Sequence, residues 1–496
     1  MNKIIQKRKG KQPKRKPLSI MLLLTLLLTA IPTGAAAASV ISSEAEEHIL
    51  NELGRANIPN AAVAVIQNGE TSYIFKDSTH DTLFQIGSVA KSFTGFGVLL
   101  LEDMGLISVS DPVNQHLPWF EVRYNGASVP HQDITIYNLL HHTSGFTSDE
   151  RRFPPSFSGI TADGFKEHLM GIELAFYPSA NFVYGNANYI ILGLIIEAVS
   201  GQSYDEFMTQ HVLHPLGLYN TFTDIQSAHE TGRIIGGNRL GFSRIRPQNL
   251  SADYILVPSG FIYSSVSDMA RWAGIHLGTI DISEQFSRIV HRSHEYNNGL
   301  INPFTELGFH YAAGWRVDSG SIEHSGIIPG NFAIVRILED ENSAVVILGN
   351  LGISAASIAQ LGDIVLDSVS NRSFDSMSVD FFAIIDIVFA VVVVICIVQV
   401  VFLIRLLSKT KKRLRNGEAI SGHFAKENIK WLIDPIISIV SLMFFYVGLP
   451  IIFDNSLRVI MMVTPSSIYA AIITAWIAVV CSLLSLGIKV FVNPKN

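Results

Sequence analysis

Ala61-Ala62-Val63-Ala64-Val65-Ile66-Gln67-Asn68-Gly69-Glu70-Thr71-Ser72-Tyr73-Ile74-Phe75 decides the fold. Two apolar runs flank Asn68-Gly69, a dipeptide that tolerates the positive φ of a two-residue turn, so the stretch predicts a β-hairpin. Upstream, Ser43–Ala56 has helical spacing, with Glu44, Glu46 and Glu47 as a solvated start. Near the far end, Ala313–Asp318, Phe332–Leu338 and Ala344–Leu348 read as three more strands, Glu339-Asp340-Glu341 as a hairpin turn, and Ile353–Val369 as a closing helix. The stretch between, about 88–310, is helix-rich with Gly, Pro, Ser and His loops. Strands at both ends with helices between predict an α+β domain: one antiparallel sheet closed by the two ends and flanked by helices, plus a helical lobe. Residues 39–380 show no internal repeat or low-complexity linker and are enough for one large domain.

Composition sets this domain in context. The chain has 496 residues, 48% hydrophobic and 16% charged, with a mean hydropathy of +0.33, too apolar for a purely soluble enzyme. Its 29 Phe, 14 Tyr and 5 Trp exclude disorder, and two cysteines exclude a disulfide scaffold. The net charge of -6 divides unevenly: residues 1–17 hold eight Lys/Arg and no acid, 39–380 hold 17 Lys/Arg against 37 Asp/Glu, and 381–496 hold 11 against five. A middle region at -20 repels phosphate, so no nucleic-acid partner is expected.

The ends predict location. A basic head (Lys7 to Lys16), an apolar run from about Leu18 to Ile31 and a close on Ala36-Ala37-Ala38 follow the order of a secretory signal over 1–38, cut after Ala38 or retained as an anchor. Residues 381–496 are read as a membrane domain with three transmembrane helices, about 381–407, 432–453 and 466–488. Lys409 to Arg415, Lys426 and Lys430 place the first loop and the C-terminus in the cytoplasm, and Asp454-Asn455-Ser456-Leu457-Arg458 outside. Asp386 and Asp434, near span ends, are read as interfacial rather than as a proton path. Cys396 and Cys481 both fall in spans, so the exported part has no thiol for catalysis or metal binding.

Three segments carry candidate chemistry. Ser88-Val89-Ala90-Lys91 opens a helical run, and positions i and i+3 share a face. A serine hydroxyl needs a neighbouring base, and a desolvated lysine can serve, although the same four residues also fit an N-cap Ser with a solvated Lys. Tyr184-Gly185-Asn186 precedes a helix; the phenol can shuttle protons and the carboxamide can hold a substrate amide, or the pair is a packed Tyr and a turn Asn. His324-Ser325-Gly326-Ile327 stands at a strand end, where the Gly admits a close substrate backbone and an edge N–H can serve an oxyanion hole. No metal is expected: the 16 His include no H-E-x-x-H, and His141-His142 are read as structural or loop residues.

In this order the three resemble the serine β-lactamase-like superfamily, in its class C β-lactamase, penicillin-binding protein and esterase branch. Leu139-Leu140-His141-His142-Thr143-Ser144-Gly145, Pro258 to Ser265 with Asp268-Met269-Ala270-Arg271, and Gly314-Trp315 are similar to further segments of that family. The resemblance covers about 43–370 and implies a β-lactamase/transpeptidase-like fold, no cofactor and an acyl-enzyme mechanism. Ser88 would be the nucleophile, with Lys91 and Tyr184 exchanging its proton. Asn186, His324, Ser325 and Gly326 would bind substrate, and the backbone N–H groups of Ser88 and Ile327 would form the oxyanion hole. The third motif departs from the family's usual Lys, because His324 is mostly neutral above ~6.5. Poorer recognition of a free carboxylate follows, hence esterase or D-alanyl peptidase/amidase activity over efficient β-lactamase activity.

The reading is a membrane-anchored serine hydrolase of the bacterial cell surface, acting on a cell-wall peptide, a D-amino-acid ester or a small ester or amide. One alternative is a penicillin-acylated receptor, disfavoured by a loop of only about 24 residues after the first span. The other is a transporter-like membrane protein with a degenerate hydrolase domain. No protein partner is identified.

Overall fold

The computed structural model describes residues 41–146, 161–248, 254–296, 309–370, 372, 375–416, 433–453, 457, 460–461 and 464–491. The signal segment 1–38, Lys426, Lys430, most of 454–458 and the side chain of Asp434 lie outside the described residues.

Helix α1 (Ser43–Arg55) starts on Ser42, whose hydroxyl accepts from Ala45 N–H, with Glu44 and Glu46 at its positive end and Arg55 in its last turn. The expected hairpin follows. Strands β1 (Ala61–Gln67) and β2 (Glu70–Lys76) pair from Ala61↔Lys76 to Gln67↔Glu70. Asn68 and Gly69 take φ of 52° and 84°, the turn whose twist matches the strands. Helices α2 (Ala90–Asp103) and α3 (Asn186–Ser200) run through the helical lobe. A separate hairpin, β3 (Gly237–Gly241) and β4 (Arg244–Gln248), follows. The chain rejoins the main sheet as β5 (His310–Tyr311), β6 (Arg316–Val317), β7 (Ser321–Ile328), β8 (Asn331–Leu338) and β9 (Ser343–Gly349), and α4 (Ala355–Val369) closes it. The order is β5-β6-β7-β8-β9-β1-β2, antiparallel throughout.

The expectation for Ala313–Asp318 needs correction. Only Arg316–Val317 is strand there, and the long strand is β7, which carries the His-Ser-Gly motif within it rather than after it.

The unbroken apolar run of β1 has a packing cause. Side chains alternate along a strand. Ala62, Ala64 and Ile66 join the lobe-side core with Phe93, Phe96 and Trp272, while Ala61, Val63 and Val65 pack with Ile49 and Leu53 of α1 and Ile358, Leu361 and Val365 of α4. Both faces of the sheet are covered where β1 runs, so neither face of this interior strand can be polar.

Beyond α4 the chain does not swing free. Met377 N–H donates to Glu52 Oε2 at 2.7 Å, and Gln360 holds Ser376 and Ser378. The Asp380 carboxylate accepts from Ser354 N–H, Ser354 Oγ and Ser357 Oγ at 3.0, 2.8 and 2.6 Å. These bonds stitch 375–380 onto α1 and the start of α4.

Helices α5 (Phe381–Arg415), α6 (Ile433–Met443) and α7 (Ser467–Phe491) follow. Phe381–Arg413 and Ser467–Leu486 are each long and apolar enough to cross a membrane. The middle segment, Pro435–Ile451, is a shorter apolar helix, and a π-helical turn at Phe444–Gly448 interrupts it. The three pack through Phe389, Cys396, Phe445, Ile468, Ala471, Ala475 and Ala478; the small residues on α7 let its neighbours come close.

Candidate active site

Ser88 lies in a 3₁₀ turn, Gly87–Val89, that runs directly into α2. One turn on, Lys91 is 0% exposed. Its Nζ donates to Ser88 Oγ at 3.3 Å, Asn186 Oδ1 at 2.7 Å and the Ser259 carbonyl at 2.6 Å. Segments far apart in sequence therefore converge on one nitrogen. Nζ also stands 4.9 Å from the ring centre of Tyr184 and 5.7 Å from that of Tyr189, where the faces of the rings favour a cation. All three oxygen acceptors are neutral, so no carboxylate holds this amine through them.

Tyr184 and Asn186 are placed by the start of α3, whose N-cap is Gly185. The Leu139–Gly145 segment supports them from beneath. His142 Nδ1 accepts from Gly185 N–H at 3.3 Å and lies 2.9 Å from Asn188 Nδ2, while Ser144 Oγ donates to Asn188 Oδ1 at 2.5 Å. The His142 ring centre is 4.5 Å from that of Tyr184 and 4.6 Å from that of Tyr311. Burial first, then the charges of Lys91, His324 and His141, holds His142 well below the usual imidazole range. Its neighbour His141 is pushed down to about 4 by burial, opposed by its bond to the Tyr311 carbonyl. Both histidines are packing residues, as the sequence suggested, but His142 packs against the site itself.

On β7, His324 is 4% exposed, and its Nδ1 donates to the Ser325 carbonyl at 2.8 Å. In a neutral ring Nε2 is then the acceptor, and Tyr311 Oη stands 3.2 Å from it. Burial, then Arg316 and Lys91, drives its protonation far below the usual range, so His324 supplies no cation.

Gly326 and Gly87 show how strand and turn meet. A Cβ on Gly326 would lie 1.9 Å from the Ile86 carbonyl oxygen and 3.0 Å from Ser88 N, and one on Gly87 would lie 2.7 Å from Ile327 N. The space beside the Gly326 Cα on this side is filled by the chain's own Gly87–Val89 turn. Backbone contact falls at the two amides expected to form the oxyanion hole. Strand β6 pairs only with Ile322 and Glu323, which leaves β7 from His324 onward without a strand on that side among the described residues.

Four groups near the site escaped sequence reasoning: the Ser259 carbonyl, His142, Tyr311 and Arg316. Arg316 Nη2 donates to Ser325 Oγ at 2.9 Å and pairs with Glu323 at 3.0 Å. A guanidinium thus stands beside the third motif although its first residue is neutral. Glu323 also takes Arg336 at 2.8 Å, so its carboxylate is divided between two guanidinium groups. The signal was its place directly after Gly314-Trp315, a segment noted only as a landmark.

An antiparallel sheet with a helical lobe, and a serine-lysine turn at their junction, define the class: β-lactamase-like serine hydrolases of α+β fold. The family model described as Beta-lactamase matches residues 45–366, and the chain belongs to that family. Protein flp of Staphylococcus aureus (strain MW2) is 30% identical over 330 residues, which are 61% of this chain and 62% of that protein. The match thus spans about three-fifths of that relative's length. Penicillin-binding protein 4* of Bacillus subtilis (strain 168) is 30% identical over 154 residues, 28% of this chain and 30% of that protein. A class C beta-lactamase superposes with a TM-score of 0.56 at 17% identity, covering 66% of this chain and 96% of that chain, a likeness of fold.

Proposed function

We propose that the chain is a membrane-anchored, extracytoplasmic serine hydrolase that acts through an acyl-enzyme on a cell-wall peptide, a D-amino-acid ester or a related ester or amide. The observation that carries this reading is the 3.3 Å approach of Lys91 Nζ to Ser88 Oγ, with Nζ fixed by Asn186 and Ser259. The Asn186 Oδ1 and Ser259 carbonyl oxygens only accept, so they take two N–H bonds of the nitrogen. Its third direction, toward Ser88, carries either the last proton of an ammonium or the lone pair of an amine. In the amine form the Ser88 hydroxyl donates to it.

Ser88 Oγ then attacks the acyl carbon and its proton passes to Lys91. The oxyanion develops against the N–H groups of Ser88 and Ile327, each such donor lowering the barrier by ~3–4 kcal/mol. Collapse breaks the bond to the leaving group, which takes its proton through Lys91 and Tyr184. Water cleaves the Ser88 ester, releasing the acid and restoring the hydroxyl.

Neutral His324 favours acyl donors that do not depend on a free carboxylate. The apolar lengths of α5 and α7, and the basic run Lys409 to Arg415 at the end of α5, support a membrane anchor with that end inside.

The test applies a fluorescent penicillin or a fluorophosphonate to wild type and Ser88→Ala, with nitrophenyl-ester hydrolysis followed in parallel. Labelling and turnover in wild type, both absent from Ser88→Ala, are expected. Stable labelling without turnover of any substrate would make the protein a receptor. Turnover retained by Ser88→Ala would remove the proposed nucleophile.

A further inference from the structure

From Thr231 to Ala252 the sequence holds Arg233, Arg239, Arg244 and Arg246 and no acid, inside a region 39–380 whose balance is -20. Three of these arginines lie on the β3–β4 hairpin, where Arg246 opposes Arg239 and Arg244 opposes Gly241. Side-chain alternation puts all three on one face. Like charges directly opposite weaken a hairpin, and none of the three forms an ion pair with a carboxylate among the described residues. Arg239 lies over the Tyr469 ring at 5.1 Å, but nothing within the described fold accounts for the exposed Arg244 and Arg246.

The hairpin's position does. Its root is tied to the hydrolase domain: Asn238 N–H donates to the Gly330 carbonyl at 3.0 Å, and the Asn238 carbonyl accepts from Gly352 N–H at 2.9 Å. Its tip is tied to the helix bundle. Asp386, 1% exposed in the second turn of α5, accepts from Phe242 N–H at 3.0 Å, from Ser243 N–H and from the Ser467 hydroxyl of α7. Phe242 and Ser243 both hold positive φ, 55° and 56°, which aims two successive N–H groups at one carboxylate. The Leu240 carbonyl accepts from Ser466 N–H at 2.7 Å, and Arg239 reaches the Met461 carbonyl at 3.2 Å.

Asp386 lies five residues into α5, about 7–8 Å along the axis at a helical rise of ~1.5 Å per residue. A headgroup layer is about 5–8 Å deep on each side of the hydrocarbon. With the start of α5 at the outer face, the tip reaches the hydrocarbon boundary, where Phe242 is 43% exposed. Exposed Arg244 and Arg246 step back up the strand from there by ~3.4 Å per residue, through the phosphate level.

We propose that the β3–β4 hairpin is a lipid-contacting wedge, in which Arg244 and Arg246 bind the phosphates of anionic phospholipid headgroups in the outer leaflet and Phe242 enters the boundary beneath them. The assignment rests on the membrane reading above. In an otherwise acidic domain the hairpin presents its positive face at the one level where anionic phosphate is continuous.

The test uses the full chain, purified in detergent with equal phosphatidylglycerol and phosphatidylcholine and examined by native mass spectrometry. Wild type is expected to retain phosphatidylglycerol about 10-fold over phosphatidylcholine, and the double variant Arg244→Gln/Arg246→Gln to fall within about two-fold of parity, with nitrophenyl-ester hydrolysis unchanged. No preference in wild type, or the same preference in both proteins, overturns the headgroup assignment. A second readout places Trp at Phe242 (F242W) in bilayers brominated near the carbonyl level. Extra fluorescence that these lipids quench supports the wedge, and extra fluorescence that they leave unquenched overturns it. A carbonate wash of wild-type membranes keeps the two readings apart: release by carbonate defeats the spanning helices, whereas retention with no lipid preference defeats the hairpin alone.

Discussion

Lys91 and Asp386 are both buried charged side chains, at 0% and 1% exposure, and both are held by neutral groups, yet the two regions work differently. Around Lys91 one of the three oxygens, Ser88 Oγ, belongs to a half-buried hydroxyl that can accept or donate, so a proton has somewhere to go. Around Asp386 the partners are two backbone N–H groups and a hydroxyl aimed at it, and the amides cannot reverse polarity. A buried charge facing a partner of reversible polarity is poised for reaction. One surrounded by fixed donors locks two parts together.

This contrast can be broken by substitution. Ser88→Ala should remove covalent labelling and lower ester hydrolysis by at least about 10³-fold with the fold intact, read by circular dichroism and turnover. Lys91→Met should cost about 10²–10⁴-fold in the acylation rate, because an apolar group of similar length fills the space without accepting the proton. Its thermal midpoint should move little, since relief of the buried amine's desolvation offsets the donors lost by Asn186 Oδ1 and the Ser259 carbonyl. Gly326→Ala forces the 86–88 turn away from the 1.9 Å clash and should cost about 10²-fold in kcat through the oxyanion amides. Asp386→Ala should leave that rate within about two-fold while destabilising the chain by about 1–3 kcal/mol, as two part-buried N–H groups and the buried Ser467 hydroxyl lose their acceptor; Asp386→Asn should recover part of it. Hydrolysis lost in Asp386→Ala as fully as in Ser88→Ala would end the distinction.

The smallest expected effect is that of pH. His141 is pushed down to about 4 from an unfolded value near 6.5, so the unfolded chain binds more protons between those limits. Stability present above pH 6.5 is lost as pH falls toward 4, visible as a falling thermal midpoint. His142 and His324 are both held well below the usual imidazole range by burial, so neither should put an inflection near 6.5 into the kcat/KM profile.

How far the sequence foretold this depends on which residues carried the pattern. The β1–β2 hairpin was legible because Asn68-Gly69 follows β1, whose unbroken apolar run reflects cover on both faces, and precedes the half-buried edge strand β2. Strand β7 was harder: Glu323, His324 and Ser325 interrupt its apolar character because Glu323 holds two arginines and His324 faces the site. Ser88 and Lys91 could be paired in advance by their i, i+3 spacing, whereas Asn186, 95 residues beyond Lys91, was joined to them only through the family resemblance; the structure brings the three together. The Ser259 carbonyl could not, because a backbone oxygen leaves no mark in composition. Arg316 and His142 arrive from other segments and depend on the closed sheet and lobe to reach the site. Asp386 read as an interfacial acid because its partners, Phe242 and Ser243, adopt a left-handed conformation that neither residue type announces.

The place of β1 in the sheet has a consequence for biogenesis. One neighbour, β2, is made at once, but the other is β9, with Ala61 against Gly349 and Gln67 against Ser343. A ribosome making this chain therefore releases the first hairpin long before its second edge can be covered. That edge must stay soluble until nearly the whole domain has emerged, and such long-range pairing is slow to form and prone to aggregate. On the proposed membrane anchoring, closure of the sheet and entry of α5 into the bilayer fall almost together in time. A chaperone acting on this protein would be needed at the amino-terminal strands, in the interval before Ser343–Gly349 appear.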